Sequence, residues 1–214
     1  MTEPLYPLLA ISRLRMGMDG AGVTSLVAGA DCPLHCRWCI NERLLREGKR
    51  ELVDAETLVE RLRIDDLYFR ATAGGVCFGG GESLLHADFI QRFRAVCPAD
   101  WRLTVETSLA VSRELVERSL GAVDEYIVDC KDWDDAIYAR YTGGSAARMR
   151  DNLRFLLKKA GPGRVVVRVP LIGFYNTAED QARTAEALRR EGVTRLDLFS
   201  YTLPERPAPG DEKR

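Results

Sequence analysis

Cys32, Cys36 and Cys39 fall within the run Cys32-Pro33-Leu34-His35-Cys36-Arg37-Trp38-Cys39, a C-x3-C-x2-C spacing. Three thiolates this close can ligate a metal centre from a single loop. A [4Fe–4S] cube normally takes four cysteine ligands, one per iron. With three supplied locally and no fourth nearby, one iron is left open, and there a small molecule could be bound and given an electron. Two other readings use the same thiols. A Cys3His zinc site would recruit His35, but that residue lies inside the turn the cysteines must form. Structural zinc sites also usually draw a second ligand pair from elsewhere, whereas no second C-x2-C follows and the only other histidine is His86. A disulfide framework suits short, cysteine-dense chains; here Cys77, Cys97 and Cys130 are scattered singly through 214 residues. The spacing favours the cluster.

Four further features carry polar chemistry. Gly79-Gly80-Gly81-Glu82 follows an apolar run. Glycines let a backbone approach a ligand closely and reach positive φ, and Glu82 would then hold a positively charged amino group. The plainer reading is a tight turn with Ser83 as a helix cap. Asp129 and Lys131, two residues apart, share one face of a strand, and Glu106 ends another. Two carboxylates and an ammonium suit a zwitterion or a monovalent cation, or else form an ordinary ion-pair network. Arg168 interrupts the apolar run 165–169, and a charge there is costly unless paired. Its expected partner is one of those carboxylates or the carboxylate of a ligand. Cys77, Cys97 and Cys130 are expected as small buried hydrophobes, Cys130 toward a helix layer. His86 is expected at the surface or as a cap, Trp133 and Tyr138 in packing.

The elements that must position these groups alternate. Apolar, β-rich runs at 24–30, 75–78, 102–107, 125–130, 164–171 and 195–201 read as strands; amphipathic runs at 55–69, 87–96, 112–120, 146–159 and 178–191 read as helices. Asp54 and Thr177 have the character of N-caps, Gly161 and Gly192 of helix stops. Near-continuous Val/Ile/Leu strands indicate a parallel sheet covered on both faces. Six βα repeats are too few to close an eight-stranded barrel, so the expected fold is α/β, a partial open (β/α)6 barrel. The cysteine loop, the glycine run, Glu106-Thr107 and Asp129-Cys130-Lys131 would then all lie at the C-terminal ends of strands, where such folds gather their sites. One domain over 1–203 is expected, followed by a disordered Pro- and charge-rich tail, 204–214. Hydrophobic residues at 46 % and charged residues at 29 % are an ordinary soluble balance, and a net charge of −1 asks for no nucleic-acid partner. The apolar patch at 5–11 contains Pro7 and resembles neither a signal peptide nor a membrane span. Free thiols and an oxygen-sensitive cluster point to the cytoplasm.

On these motifs the chain resembles the radical S-adenosylmethionine (radical SAM) superfamily, and within it the glycyl-radical-enzyme activases of the pyruvate formate-lyase activase kind. The similarity runs from about 19 to 201. Cys32, Cys36 and Cys39 match the family's cluster triad, with Trp38 in its aromatic position. Asn41 matches a C-H-N ending in which Ile40 replaces the histidine. Gly80-Gly81-Glu82 match the motif that contacts the SAM amino group. Glu106-Thr107-Ser108 stand where the activases carry Asp-Thr-Asn, Asp129-Cys130-Lys131 match Asp-Leu-Lys, and Arg168 falls on an arginine of the fifth strand. Two segments depart. Asp19-Gly20-Ala21-Gly22-Val23-Thr24 replaces Asp-Gly-Pro-Gly-Ile-Arg, which in the activases helps dock the partner's glycine loop. Phe199-Ser200-Tyr201-Thr202 replaces Leu-Pro-Tyr-His.

The resemblance implies a [4Fe–4S] cluster on Cys32, Cys36 and Cys39, with S-adenosyl-L-methionine chelating the open iron. Trp38, Gly80, Gly81, Glu82, Glu106, Thr107, Asp129, Lys131 and Arg168 would contact the cofactor, Lys131 also belonging to the catalytic set. A flavodoxin- or ferredoxin-type donor would supply the electron that cleaves SAM to methionine and a 5′-deoxyadenosyl radical. That radical would take a hydrogen atom from a glycine of a partner glycyl radical enzyme. The alternative is a stand-alone enzyme acting on a small molecule or short peptide. A third class, a non-catalytic electron carrier, would need neither the Gly-Gly-Glu nor the Asp-x-Lys site. Whether a cation sits among Glu106, Thr107 and Asp129 stays open.

Overall fold

Outward-facing Val, Leu and aromatic residues on every second strand position give this chain its sheet. The computed structural model describes residues 3–201. β2 (Val23–Gly29), β4 (Gly75–Gly80), β5 (Arg102–Thr107), β6 (Glu125–Asp129), β7 (Val165–Leu171) and β8 (Arg195–Ser200) run parallel in that spatial order. They correspond to the six strands expected, within two residues at each end, and form the expected partial open (β/α)6 barrel. Two antiparallel strands extend it. β1 (Tyr6–Met16) pairs with β2, and β3 (Glu51–Val53) with β1. The apolar patch at 5–11 therefore lies in a sheet strand. No described helix is long and apolar enough to cross a membrane. The expected tail at 204–214 lies outside the described residues.

The near-continuous apolar strands are covered differently on their two faces. Val76 and Phe78 of β4, Leu103 and Val105 of β5, Tyr126 and Val128 of β6, and Val165, Val167 and Val169 of β7 all join the buried core. They meet α2 (Ala55–Leu62), α4 (Ala87–Val96), α5 (Arg113–Ser119), α7 (Ala146–Ala160) and α8 (Ala178–Arg190), which contribute Leu58, Phe89, Phe93, Val116, Leu153, Leu156 and Leu188. Phe78 meets Phe93 edge-on at 5.2 Å, a geometry worth about 0.5–1.5 kcal/mol beyond area burial. The alternate residues, among them Cys77, Thr104, Glu106, Asp129 and Arg168, line the other side. The lumen is thus polar, which is why a charged site can exist there.

Local signals explain the helix ends. Asp54 accepts from Thr57 N at 2.7 Å, and Thr177 forms a reciprocal capping box with Asp180. Gly161 stops α7 at φ +84°, whereas Glu191 is the C-cap of α8 and Gly192 follows it at φ +93°. The expected helix at 55–69 is broken: Arg63–Asp65 forms a tighter turn before α3 (Asp66–Thr72). Asp65 is buried there and accepts from Ser25 Oγ at 2.7 Å and Arg13 Nη1 at 2.6 Å. Two helices went unforeseen, α1 (Glu42–Glu47) and α6 (Asp135–Thr142).

Candidate functional site

The cysteine loop leaves the end of β2 through Asp31, at φ +69°, a conformation that short polar side chains tolerate. Cys32, Cys36 and Cys39 are free and half-buried, and all three line a cavity of about 760 Å³ with Leu34, Arg37 and Glu42. The loop is tied down on two sides. Asn41 Nδ2 donates to Gly80 O at 2.8 Å. On the other side, α6 offers Thr142 O to His35 N and Tyr141 O to Arg37 N, each at 2.9 Å, while Tyr141 Oη donates to Trp38 O at 2.9 Å. Gly143 ends α6 at φ +72°, and a Cβ on Gly144 would stand 2.8 Å from Leu34 Cδ2. Glycine at that point lets the loop lie against the helix.

The glycine run packs against the chain itself. A Cβ on Gly79 would meet Glu106 Oε2 at 2.7 Å, and one on Gly81 would overlap the Asp31 carbonyl. Gly81 N donates to Gly29 O at 2.9 Å and Glu82 N to Asp31 O at 2.8 Å. The close approach that glycine permits is therefore to the strand that launches the cysteine loop. Glu82, expected to hold an amino group, is 2 % exposed. Its Oε1 accepts from Thr107 Oγ1 at 2.6 Å and Leu84 N at 3.2 Å. Its Oε2 accepts from Ser108 N at 2.8 Å and Ser108 Oγ at 2.5 Å. A carboxylate has about four acceptor positions, and these donors occupy them. Burial pushes the Glu82 carboxyl upward, opposed chiefly by the Ser108 and Thr107 bonds. Glu82, not Ser83, caps the turn that follows.

The remaining charged residues form two pairs. Arg168 Nη1 donates to Glu106 Oε1 at 2.7 Å, with Asp197 at 3.5 Å and the Met18 carbonyl also in contact. Glu106 is raised by burial and then by Asp129, with Arg168 opposing. Lys131, 8 % exposed, donates to Asp129 Oδ2 at 2.9 Å. Burial works against its ammonium, yet Asp129 and nearby tyrosines and Cys36 together hold it well above the ordinary lysine value. Burial pushes the Cys36 thiol up to about 11 despite Lys131, and Cys32 rises for the same first reason. Metal binding at such thiols must release protons.

Cys77, Cys97 and Cys130 are buried, as expected, and Cys130 joins the core beneath the helices. His86 stands at the N-cap position of α4, as expected, but its side chain makes no cap bond: it is half-buried, edge-on to Tyr6 at 5.1 Å, with its ring near Ala30 O at 3.3 Å. The Asp19–Thr24 segment turns inward, Asp19 paired with Arg15 and Gly20 against Thr104. Thr202 lies outside the described residues. Tyr141 and Asn152 went unforeseen; Asn152 Nδ2 donates to Leu109 O at 3.0 Å and Val111 O at 2.9 Å, pinning the loop after Ser108. The readable signals for α6 were its Asp134 cap and Gly143 stop.

The donor set fits a cluster. Three thiols on one loop face one cavity, with a cation, Lys131, close enough to act on Cys36. Among the described residues no three His, Cys, Asp or Glu side chains gather as a single metal ion needs. A cube does not ask for that, because it takes its thiolates at separate corners.

The family model described as Radical SAM superfamily matches residues 26–188. The chain is 32 % identical over 190 residues to the indoleacetate decarboxylase activating enzyme of Tractidigestivibacter scatoligenes, covering 81 % of this chain. It spans 59 % of that relative's length. It is 25 % identical over 189 residues to the pyruvate formate-lyase 1-activating enzyme of Escherichia coli K12, covering 86 % of this chain and 76 % of that one. In fold it is similar to Streptococcus suis SuiB bound to S-adenosylmethionine, with a TM-score of 0.62 and 14 % identity over 85 % of this chain and 39 % of that one.

Proposed function

The chain belongs to the radical SAM superfamily, and on that premise we propose that it is an activase that takes a hydrogen atom from a glycine of a partner glycyl radical enzyme. The observation that carries the chemistry is the set of three half-buried thiols on one cavity wall, anchored by Asn41 to Gly80 and by Trp38 to Tyr141. The activating-enzyme relatives support the choice of substrate class. Cys32, Cys36 and Cys39 would hold a [4Fe–4S] cluster, which with bound SAM supplies a 5′-deoxyadenosyl radical.

This chain's own residues bind, orient and exclude water. Lys131 presents a buried positive charge to the thiol loop and suits the SAM carboxylate, with Asp129 keeping its ammonium in place and able to share an amino group. Arg168 and Glu106 neutralise each other, so the lumen can stay dry around a neutral pair. Glu82 acts one step back. By holding Thr107 and Ser108 it fixes the end of β5 against the end of β4, whose glycine run packs in turn against the start of the cysteine loop. Fixed placement of the reacting atoms is worth several kcal/mol of barrier on its own.

Anaerobically reconstituted protein with dithionite and SAM is expected to release 5′-deoxyadenosine, and Cys36→Ala to abolish cluster and release together. With a glycyl radical enzyme added, a glycyl radical signal should follow. Release of the nucleoside without any transfer of label from a Cα-deuterated partner glycine would favour the small-molecule or peptide substrate instead.

A further inference from the structure

Helix α6 turns one face to the cysteine loop. Tyr141 and Thr142 bond the loop backbone at Trp38, Arg37 and His35, and Tyr138 stands one turn earlier on that same face. Its Cε1 lies 3.8 Å from where a Gly144 Cβ would stand, a point itself 2.8 Å from Leu34 Cδ2 of the loop. Tyr138 is fully buried, and its hydroxyl has no hydrogen-bond partner among the described residues. Buried polar groups are satisfied in the great majority of cases, and leaving one unpaired costs more than a bond ordinarily gains.

The neighbours that act on this hydroxyl are Cys130, Cys36, Lys131 and Glu82. Three are spoken for. Cys130 is a fully buried thiol on the core side, held protonated by burial. Lys131 is committed to Asp129, and the acceptor positions of Glu82 are filled. Cys36 is the one whose chemistry changes when a cluster is taken up, because its sulfur becomes an anionic acceptor.

We propose that the Tyr138 hydroxyl donates a hydrogen bond to a sulfur at the Cys36 corner of the cluster, and thereby sets its reduction potential. The inference rests on the cluster reading of the cysteine loop. A hydrogen bond to a cluster sulfur stabilises the more negative, reduced form, and such bonds are one of the ways proteins tune these potentials. Tyr138 is thus a tuning residue: it acts on the ease of reduction and leaves iron capture to the cysteines.

The test is an EPR-monitored redox titration of anaerobically reconstituted Tyr138→Phe beside the wild type, with iron counted in both. The potential responds only to how much stronger the bond is to the reduced, more anionic cluster, and that preference is set at about tenfold. The expected result is unchanged iron and a midpoint potential lower by about 59 mV, the one-electron equivalent of tenfold. Tyr138→3,5-difluorotyrosine, a stronger donor of nearly the same size, should move the potential the other way, and it serves if the Phe variant does not fold. Full iron with an unmoved potential in the variant overturns the inference alone, since a hydroxyl bonded to a trapped water would behave so. A wild type that takes up no cluster overturns the reading of the site, and this inference with it.

Discussion

Glu82 separates two roles that a Gly-Gly-Glu run can play. As a ligand contact, its removal would weaken SAM binding and spare the fold. In the structure its carboxylate is buried and receives four hydrogen bonds, from Thr107 Oγ1, Leu84 N, Ser108 N and Ser108 Oγ. Glu82→Ala strands two backbone N–H groups and two hydroxyls; the hydroxyls can turn elsewhere, the N–H groups cannot. A buried donor left unsatisfied costs about 1–3 kcal/mol, so the two stranded N–H groups should cost roughly 2–6 kcal/mol together, against a domain stability of about 5–15 kcal/mol. Glu82→Gln keeps one acceptor oxygen but sets its NH2 against the Ser108 N–H or the Thr107 hydroxyl, so about half that loss is expected. The assay is urea unfolding of the metal-free protein, with SAM affinity of the reconstituted protein measured in parallel. A wild-type unfolding midpoint in Glu82→Ala, together with lost SAM affinity, would refute the clamp and restore the ligand role.

Three more outcomes follow from the geometry. Gly81→Ala drives a Cβ into the Asp31 carbonyl; the overlap should cost about 1–3 kcal/mol and lower iron incorporation, and unchanged iron would show that the two strand ends can part freely. Asn41→Ala removes the bond to Gly80, at a cost of about 1 kcal/mol, and should loosen the cysteine loop enough to speed its proteolysis in the metal-free protein; an unchanged cleavage rate would place the anchor elsewhere. Glu106 is raised in the folded chain by burial and Asp129, so its contribution to stability is full below the ordinary glutamate value. It is lost as pH rises through the raised one. The stability of wild type minus Glu106→Gln should therefore fall with rising pH across that window, and a flat or rising difference contradicts the shift.

Much of the scaffold was legible because the outward face of each strand repeats Val, Leu or an aromatic residue, and because caps such as Asp54 and Thr177 mark the helix starts. The cysteine triad and the strand-end motifs were legible for the same reason: each follows an apolar run. What escaped was set by tertiary contact. β1 is interrupted by Pro7 and shifts register twice against β2, so it has no clean alternation. The 55–69 helix breaks because Asp65 finds buried partners in Ser25 and Arg13, which no local pattern announces. α6 buries Tyr138, Tyr141 and Thr142 against a loop about a hundred residues earlier, and its short, charged sequence conceals that. Glu82 was visible as a carboxylate beside glycines, yet only the fold reveals that Thr107 and Ser108 fill it.

The most direct measurement is Mössbauer spectroscopy of 57Fe-reconstituted protein with and without SAM. One iron of the cluster should differ from the others and change on addition of SAM, and Cys36→Ala should lose the cluster. Four equivalent irons indifferent to SAM, or a full cluster retained in Cys36→Ala, would contradict a site built on three cysteines and one open position.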